Sequence, residues 1–380
     1  MSVAQEPTAT AKELSTLAHA RELALRGRGR VSPNPLVGAV VLRDGQVVGE
    51  GWHEGPGTAH AEVGALRAAG DAARGATVVC TLEPCSHHGR TPPCSNALIA
   101  AGVARVVVGC LDPLERDRDG GVRVLRDAGI DVVVAPADET DACRELNAPF
   151  VTHVVTGRPL VTLKLATSLD GKVATATGET RWITGPEARA LVHRWRADAD
   201  AVAVGSGTAL ADDPALTARG LAEPFRPPLR VVFDGRARLP AASALVRTAR
   251  ENPVLAFVEP GGDDAAVHAL RSAGVEVVAL GGDAPARIAQ ALDALGARDV
   301  QSLFLEGGPT LAEAFLAAGA VDRVAWFVAP VLAGGTAAPG ALAGPGLGPL
   351  AHVPRLAATT VERVGEDVLI RGLLRALPGS

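Results

Sequence analysis

The sequence predicts an α/β protein built in two units, and three observations predict it. Short β-branched runs alternate with segments of helical apolar spacing along most of the chain. His60-Ala61-Glu62 and the cysteines at 85 and 94 stand where such segments meet. Gly157-Arg158-Pro159 then punctuates the chain, and a fresh series of strands begins.

In the first unit, Ala11 to Arg26 has helical spacing. Val37 to Leu42 and Gln46 to Gly51 form a hairpin around Asp44-Gly45, a dipeptide suited to a two-residue turn. His60 to Ala69 reads as a helix with His60 and Glu62 in its first turn. Thr77 to Thr81 is a strand, Cys94 to Ala101 a helix and Ala104 to Cys110 a strand; Val122 to Ala128 and Ile130 to Val134 repeat the pattern. An α/β sandwich with metal ligands at helix starts follows. The boundary falls within about ten residues of Phe150, so the units are taken as 1–150 and 157–380. Leu160 to Ala166, Ala201 to Val204, Arg230 to Asp234, Val254 to Val258, Val275 to Leu280, Ser302 to Glu306 and Arg323 to Val328 are strands. Helices fall between most of them, which predicts a mainly parallel sheet covered on both faces. Gly334 to Gly348, rich in Ala, Gly and Pro, reads as an extended surface loop, and no internal repeat is present.

His60, Cys85 and Cys94 supply one imidazole and two thiols, and Glu62 a free carboxylate. Three ligands, a fourth position open to water and an acid to move protons are what a zinc-dependent deaminase needs. Pro84-Cys85 and Pro92-Pro93-Cys94 both read as entries to helices, where unpaired backbone N–H groups favour thiolate. The usual deaminase signature separates its cysteines by two residues; the loop here, Ser86 to Pro93, is longer. A closed structural zinc, completed by Cys80, His53, His87 or His88, is the alternative. Cys80, Cys110 and Cys143 read as inert buried thiols, and Arg26 to Arg30 and Arg116 to Arg118 as solvated faces.

Composition fits an enzyme of this kind. The chain has 380 residues, enough for two or three domains, with 47% hydrophobic residues and a net charge of −5 that argues against polyanion binding. No apolar run spans a bilayer, and the N-terminus lacks a signal-peptide pattern. Five cysteines, two of them in the metal motif, fit a reducing cytoplasm rather than a disulfide framework. In the second unit no Gly-x-Gly-x-x-Gly follows the first strand. Glu306-Gly307-Gly308-Pro309-Thr310-Leu311 lies after a strand and opens a helix, so its N–H groups could hold a phosphate or simply make a turn. Val204-Gly205-Ser206-Gly207-Thr208 is a weaker candidate of the same kind.

Pro84-Cys85-Ser86-His87-His88-Gly89-Arg90-Thr91-Pro92-Pro93-Cys94 and Asn34-Pro35-Leu36-Val37-Gly38 resemble the bifunctional riboflavin-biosynthesis deaminase/reductase family. So do the segments Lys164 to Gly171, Gly178 to Thr184, Ala211 to Arg219 and Glu306 to Gly308. The resemblance runs from about Leu14 to the last strands. It implies a cytidine-deaminase-like α/β/α sandwich followed by a dihydrofolate-reductase-like α/β domain that uses NADPH. In the first, His60, Cys85 and Cys94 would bind Zn2+, Glu62 would be catalytic, and Asn34, His88 and Arg90 would contact a phosphorylated pyrimidine. In the second, Ala166, Trp182, Thr208, Asp212, Gly235, Gly308, Pro309 and Thr310 would face the cofactor. Thr180, Arg196, Leu216, Arg219 and Glu306 would face the substrate, the arginines suiting a ribose phosphate. Asp212 is the residue to watch for proton transfer.

Lys164 suits a proton or phosphate partner, and bland alternatives stand beside these: Trp182 as core, Asp212-Asp213-Pro214 as a turn or cap, Lys164 as a solvated strand-end lysine. The chain departs from the family after Asp112-Pro113, where Leu114 to Gly121 replaces an Asn-Pro and a Gly-x-Gly segment. The implied reactions are hydrolytic deamination of a diaminopyrimidinone ribosylamino 5′-phosphate, then NADPH-dependent reduction of its ribosyl to a ribityl chain. A homo-oligomer is expected from the family, with no nucleic-acid or membrane partner. A single-function nucleoside or nucleobase deaminase with a non-catalytic second domain, and a zinc-stabilised binding protein, are the rival readings.

Overall fold

The computed structural model describes residues 8–88, 92–114, 120–222 and 225–379. The chain divides into two compact units. One ends at Thr156 and takes in the chain again from Leu377; the other is Gly157–Ala376.

The first unit runs α1 (Ala11–Ala24), β1 (Gly38–Arg43), β2 (Gln46–Trp52), α2 (Ala61–Ala69), β3 (Thr77–Cys80), α3 (Cys94–Ala101), β4 (Arg105–Val108), α4 (Gly120–Asp127), β5 (Asp131–Val134), α5 (Ala137–Leu146) and α6 (Ala148–Thr156). A capping box starts α1: the Glu13 N–H donates to the Thr10 hydroxyl and the Thr10 N–H to the Glu13 carboxylate. The hairpin turn has positive φ at both Asp44 and Gly45, as expected of a type I′ turn. The sheet order is β2-β1-β3-β4-β5, with β1 antiparallel to both neighbours and β3, β4 and β5 parallel.

Alternation along these strands sorts the core into two layers. Val40, Leu42, Val79 and Val107 pack with Leu17, Ala20 and Leu23 of α1. Ala39, Val41, Val78 and Val106 pack with Ala61, Ala65, Leu98 and Leu125 of the helices on the other face. Gly49 and Gly51 let α2 lie directly on β2: a Cβ at Gly51 would stand 2.2 Å from the Ala61 carbonyl oxygen. That close approach fixes the first turn of α2, and with it His60 and Glu62.

The second unit runs β6 (Leu160–Ser168), α7 (Pro186–Asp198), β7 (Ala201–Gly205), α8 (Ser206–Asp212), β8 (Leu229–Phe233), α9 (Ala244–Arg247), β9 (Val254–Val258), α10 (Asp264–Ser272), β10 (Glu276–Ala279), α11 (Ala284–Gly296), β11 (Ser302–Leu305), α12 (Pro309–Ala317), β12 (Arg323–Ala329), β13 (Ala357–Val364) and β14 (Asp367–Leu373). Its sheet has the order β10-β9-β8-β7-β11-β6-β12-β14-β13. The seven strands from β10 to β12 are parallel, and apolar clusters cover both faces. Insertion of β11 between β7 and β6 makes a crevice at the carboxyl ends of the strands, where α/β sheets bind ligands. The antiparallel β13–β14 hairpin lies beyond the strands read from sequence. Seven of the eight β13 residues are exposed, so no buried face marks that strand by alternation. Residues 334–348 form no helix or strand beyond one isolated bridge at Gly340, as expected of a loop.

Candidate active sites in the two units

In the first unit, His60 is the N-cap of α2, and Cys94 is the first residue of α3. Cys85 lies in irregular chain rather than at a helix entry, which corrects the expectation for Pro84-Cys85. It reaches the same helix start by another route: the Cys94 N–H donates to the Cys85 Sγ at 3.3 Å, and the Ser95 N–H to the Cys85 carbonyl at 3.2 Å. His60 Nδ1 stands 3.1 Å from Cys94 Sγ and 3.6 Å from Cys85 Sγ. A tetrahedral zinc with its usual bond lengths holds such atoms about 3.5–3.8 Å apart; the spacing to Cys85 matches, that to Cys94 is a few tenths of an ångström short, and one imidazole with two thiols suits that ion. Among the described residues no fourth histidine, cysteine or carboxylate joins the three. An open ligand set suits chemistry, and the closed structural alternative finds no support in it.

Glu62 is buried in the first turn of α2, its Oε2 3.5 Å from Cys94 Sγ. Burial pushes its carboxyl up to about 7, where it can both take and give a proton near neutrality. Hydrogen bonding from Cys94 and from His60 pulls the Cys85 thiol down to about 4, toward the thiolate a metal takes. The bond to Cys85 in turn raises His60.

A cavity of about 380 Å3 opens beside these groups, lined among others by Asn34, His53, His60, Glu62, Cys85, His87 and Asp112. Asn34 thus lies where expected, its amide 3.0 Å from the Nε2 of the buried His53. His88 does not: it is exposed, and the cavity's loop histidine is His87. Arg90, and Arg116 to Arg118, lie outside the described residues. Around the unusual 114–121 segment, Gly121 remains essential, since a Cβ there would meet the Pro84 carbonyl oxygen at 1.8 Å. Buried Glu83 accepts N–H groups from Asp112 and Val122, linking those two residues to the chain that carries Cys85. Cys80, Cys110 and Cys143 are buried, and burial raises each thiol.

In the second unit a groove of about 1330 Å3 runs along the carboxyl ends of the parallel strands. It gathers Ala166, Thr180, Trp182, Arg196, Thr208, Asp212, Leu216, Arg219, Gly235, Glu306, Gly308, Pro309 and Thr310, every reductase-side residue singled out from sequence. Gly308 caps α12 without a side chain, and a Cβ there would lie 2.9 Å from the Thr208 Oγ1, so backbone donors face the groove unobstructed. The volume and lining of the groove fit a dinucleotide. Trp182 is 69% exposed rather than core, with the Arg189 guanidinium 4.4 Å over its ring. Asp212 ends α8 and accepts the Thr180 hydroxyl at 2.9 Å. Leu216 is buried at a positive φ, so it offers the groove mainly backbone. Arg219 is exposed on the groove wall.

Arg196 grips Glu306 with two bonds, Nε to Oε1 at 2.5 Å and Nη2 to Oε2 at 2.9 Å. Burial tends to raise Glu306, but Arg196 and Lys164 outweigh it and hold the carboxyl below its usual range. Lys164, which the sequence leaves between a proton or phosphate partner and a solvated strand end, is a mid-strand residue facing the groove; burial pushes its ammonium down. The signal was present, because Val161, Leu163 and Leu165 turn to the core and leave Lys164 on the face of Ala166.

Comparison with known proteins follows the same division. Residues 10–110 match the cytidine and deoxycytidylate deaminase zinc-binding region, and residues 159–370 the RibD C-terminal domain. The riboflavin biosynthesis protein RibD of Bacillus amyloliquefaciens is 39% identical over 352 residues, 93% of this chain and 94% of that protein. That of Escherichia coli is 40% identical over 93% of this chain and 97% of its own length. The structure of Acinetobacter baumannii RibD superposes with a TM-score of 0.85 at 37% identity, covering 95% of this chain and 98% of that one. A Thermotoga maritima diaminohydroxyphosphoribosylaminopyrimidine deaminase/5-amino-6-(5-phosphoribosylamino)uracil reductase gives 0.82 at 34% identity, over 95% and 98%.

Proposed function

Because the chain belongs to the RibD family, in which a zinc-dependent deaminase and an NADPH-dependent reductase share one polypeptide, we propose that it acts twice on one phosphorylated pyrimidine. The first step is hydrolytic deamination of 2,5-diamino-6-ribosylamino-4(3H)-pyrimidinone 5′-phosphate in residues 1–150. The second is reduction of the ribosyl to a ribityl chain in residues 157–380. The observation that carries the reading is the open His60, Cys85, Cys94 set with buried Glu62 beside it.

Zinc, when bound there, supplies Lewis acidity that makes water a nucleophile near neutral pH. Glu62 relays the proton, first to a ring nitrogen and then to the departing amine, which leaves as ammonia. Asn34, held by His53, orients the ring. NADPH, when bound, supplies the hydride that is delivered to the ribosyl C1′. The α12 N-terminus at Gly308, Pro309 and Thr310 would hold the cofactor's diphosphate, with Thr208 and Gly235 beside it. Ala166, Trp182 and Asp212, which line the same groove, would border its reactive end. Thr180, Leu216 and Arg219 receive the substrate, with Arg219 free to take the phosphate while Arg196 positions Glu306. Lys164 and Asp212, both of which line the groove, are the groups placed to handle the proton that opens the sugar. No described helix is long and apolar enough to cross a membrane, and we place the enzyme in the cytoplasm as a homo-oligomer.

Mass spectrometry of the products tests the sequence of steps. Zinc-loaded protein alone should exchange one amine for oxygen; adding NADPH should then add two hydrogens. Hydrogen gain without the prior exchange contradicts the order.

A further inference from the structure

The far end of the reductase groove carries charges that neither step requires. Glu259 follows β9, and its side chain lies over the turn after β8: Oε1 is 2.7 Å from where a Gly235 Cβ would be. The Glu259 N–H donates to the Gly235 carbonyl at 2.8 Å, which fixes this arrangement. Arg287, on α11, pairs with Glu259 at 3.3 Å, and Arg238 donates to the Ser206 hydroxyl at 2.6 Å. All three charged side chains line the groove. They lie one to two strand spacings, roughly 5–10 Å, beyond the end of β7, about the reach of a ribose past its 5′-phosphate. Phe257, Leu280 and Ile288, core residues whose edges line the same groove, give it an apolar floor against which an adenine can lie.

The chemistry of these groups discriminates between nucleotides. A carboxylate at this place accepts the two hydroxyls of an unphosphorylated ribose and repels a 2′-phosphate. Guanidinium groups do the reverse, pairing with phosphate oxygens. Glu259 and Arg287 neutralise one another in the free groove, and either ligand can take one of them from the other. Resting on the nucleotide placement proposed above, we propose that Glu259 and Arg287 are the selectivity pair of the reductase, and that they let it accept NADH as well as NADPH. Glu259 reads the 2′-hydroxyl; Arg287, with Arg238, reads the 2′-phosphate.

Fluorescence titration of the full chain with NADPH and with NADH gives the two dissociation constants directly, without turnover. Competition by adenosine 2′,5′-bisphosphate and by 5′-AMP locates the effect at the ribose. Wild-type protein should bind NADH within about tenfold of NADPH. Glu259→Gln should move the ratio of constants about tenfold toward NADPH, and Arg287→Gln about tenfold toward NADH, as expected for losing one charge-assisted bond. If both nucleotides bind and neither variant moves the ratio beyond about twofold, the pair is an ordinary surface ion pair and the proposal falls. A wild-type preference for NADPH of about a thousandfold or more also overturns it. Failure of either nucleotide to bind at all would instead remove the nucleotide reading of the groove, and this inference with it.

Discussion

Gly51→Ala puts a methyl group 2.2 Å from the Ala61 carbonyl oxygen and 2.5 Å from the Ala65 amide nitrogen, inside the first turn of α2. Contacts of this kind do not persist below 3.0 Å, so α2 must move away from β2 by about 0.8 Å. Its neighbours there are backbone atoms, which cannot swing aside as a side chain would. Overpacking of this sort costs about 1–3 kcal/mol of stability. The larger effect falls on chemistry, because the displaced turn carries both the ligand His60 and the carboxylate of Glu62. A misplacement of about 1 Å lowers a rate by about a hundredfold. Ammonia release should therefore fall by about that factor. NADPH oxidation on substrate supplied already deaminated should stay at the wild-type rate, since the reductase groove lies wholly in the other unit. Wild-type ammonia release with an unchanged melting temperature would refute the argument that β2 glycines set the catalytic geometry.

Three further outcomes are expected. Glu62→Gln should lower deamination by about 10²–10⁴ while one zinc per chain remains bound by metal analysis; zinc loss alongside activity would sink the proton-relay role. Arg230, fully buried, donates to the carbonyls of Ala215, Thr248 and Asn252. Arg230→Met should destabilise the protein by about 2–4 kcal/mol in urea unfolding and raise the KM for the pyrimidine, since Ala215 precedes Leu216 and Arg219. Glu306 has its folded pKa below the unfolded value, so its contribution to stability is present above about pH 4 and is lost as the pH falls through the folded value. Urea midpoints between pH 7 and pH 3 should drop less steeply for Glu306→Gln; parallel curves would show that the Arg196 pair contributes nothing.

Most strands of both units were legible as short apolar runs bounded by glycine, proline or polar residues, as at Val254–Val258, and the helix Cys94–Ala101 also falls where expected. The β13–β14 hairpin was not, because residues exposed on both faces write no period into the sequence. The metal set was legible from residue type and order alone, but the route by which Cys85 meets Cys94 was not. That contact depends on backbone N–H groups at the start of α3, which no side chain announces. For the same reason His88 stood out in sequence where His87 lines the cavity: in an irregular loop no periodicity fixes which of two neighbouring residues turns inward. Glu259 and Arg287 belong to separate elements and meet only through the order of the sheet.

The central claim is that one chain carries out deamination and then reduction. Ammonia release from the diaminopyrimidinone ribosylamino phosphate by zinc-loaded protein, followed by NADPH oxidation in the same cuvette, tests it most directly. The account predicts ammonia first and NADPH oxidation only after it. Ammonia with no NADPH oxidation would leave a deaminase joined to an idle second unit and contradict the account.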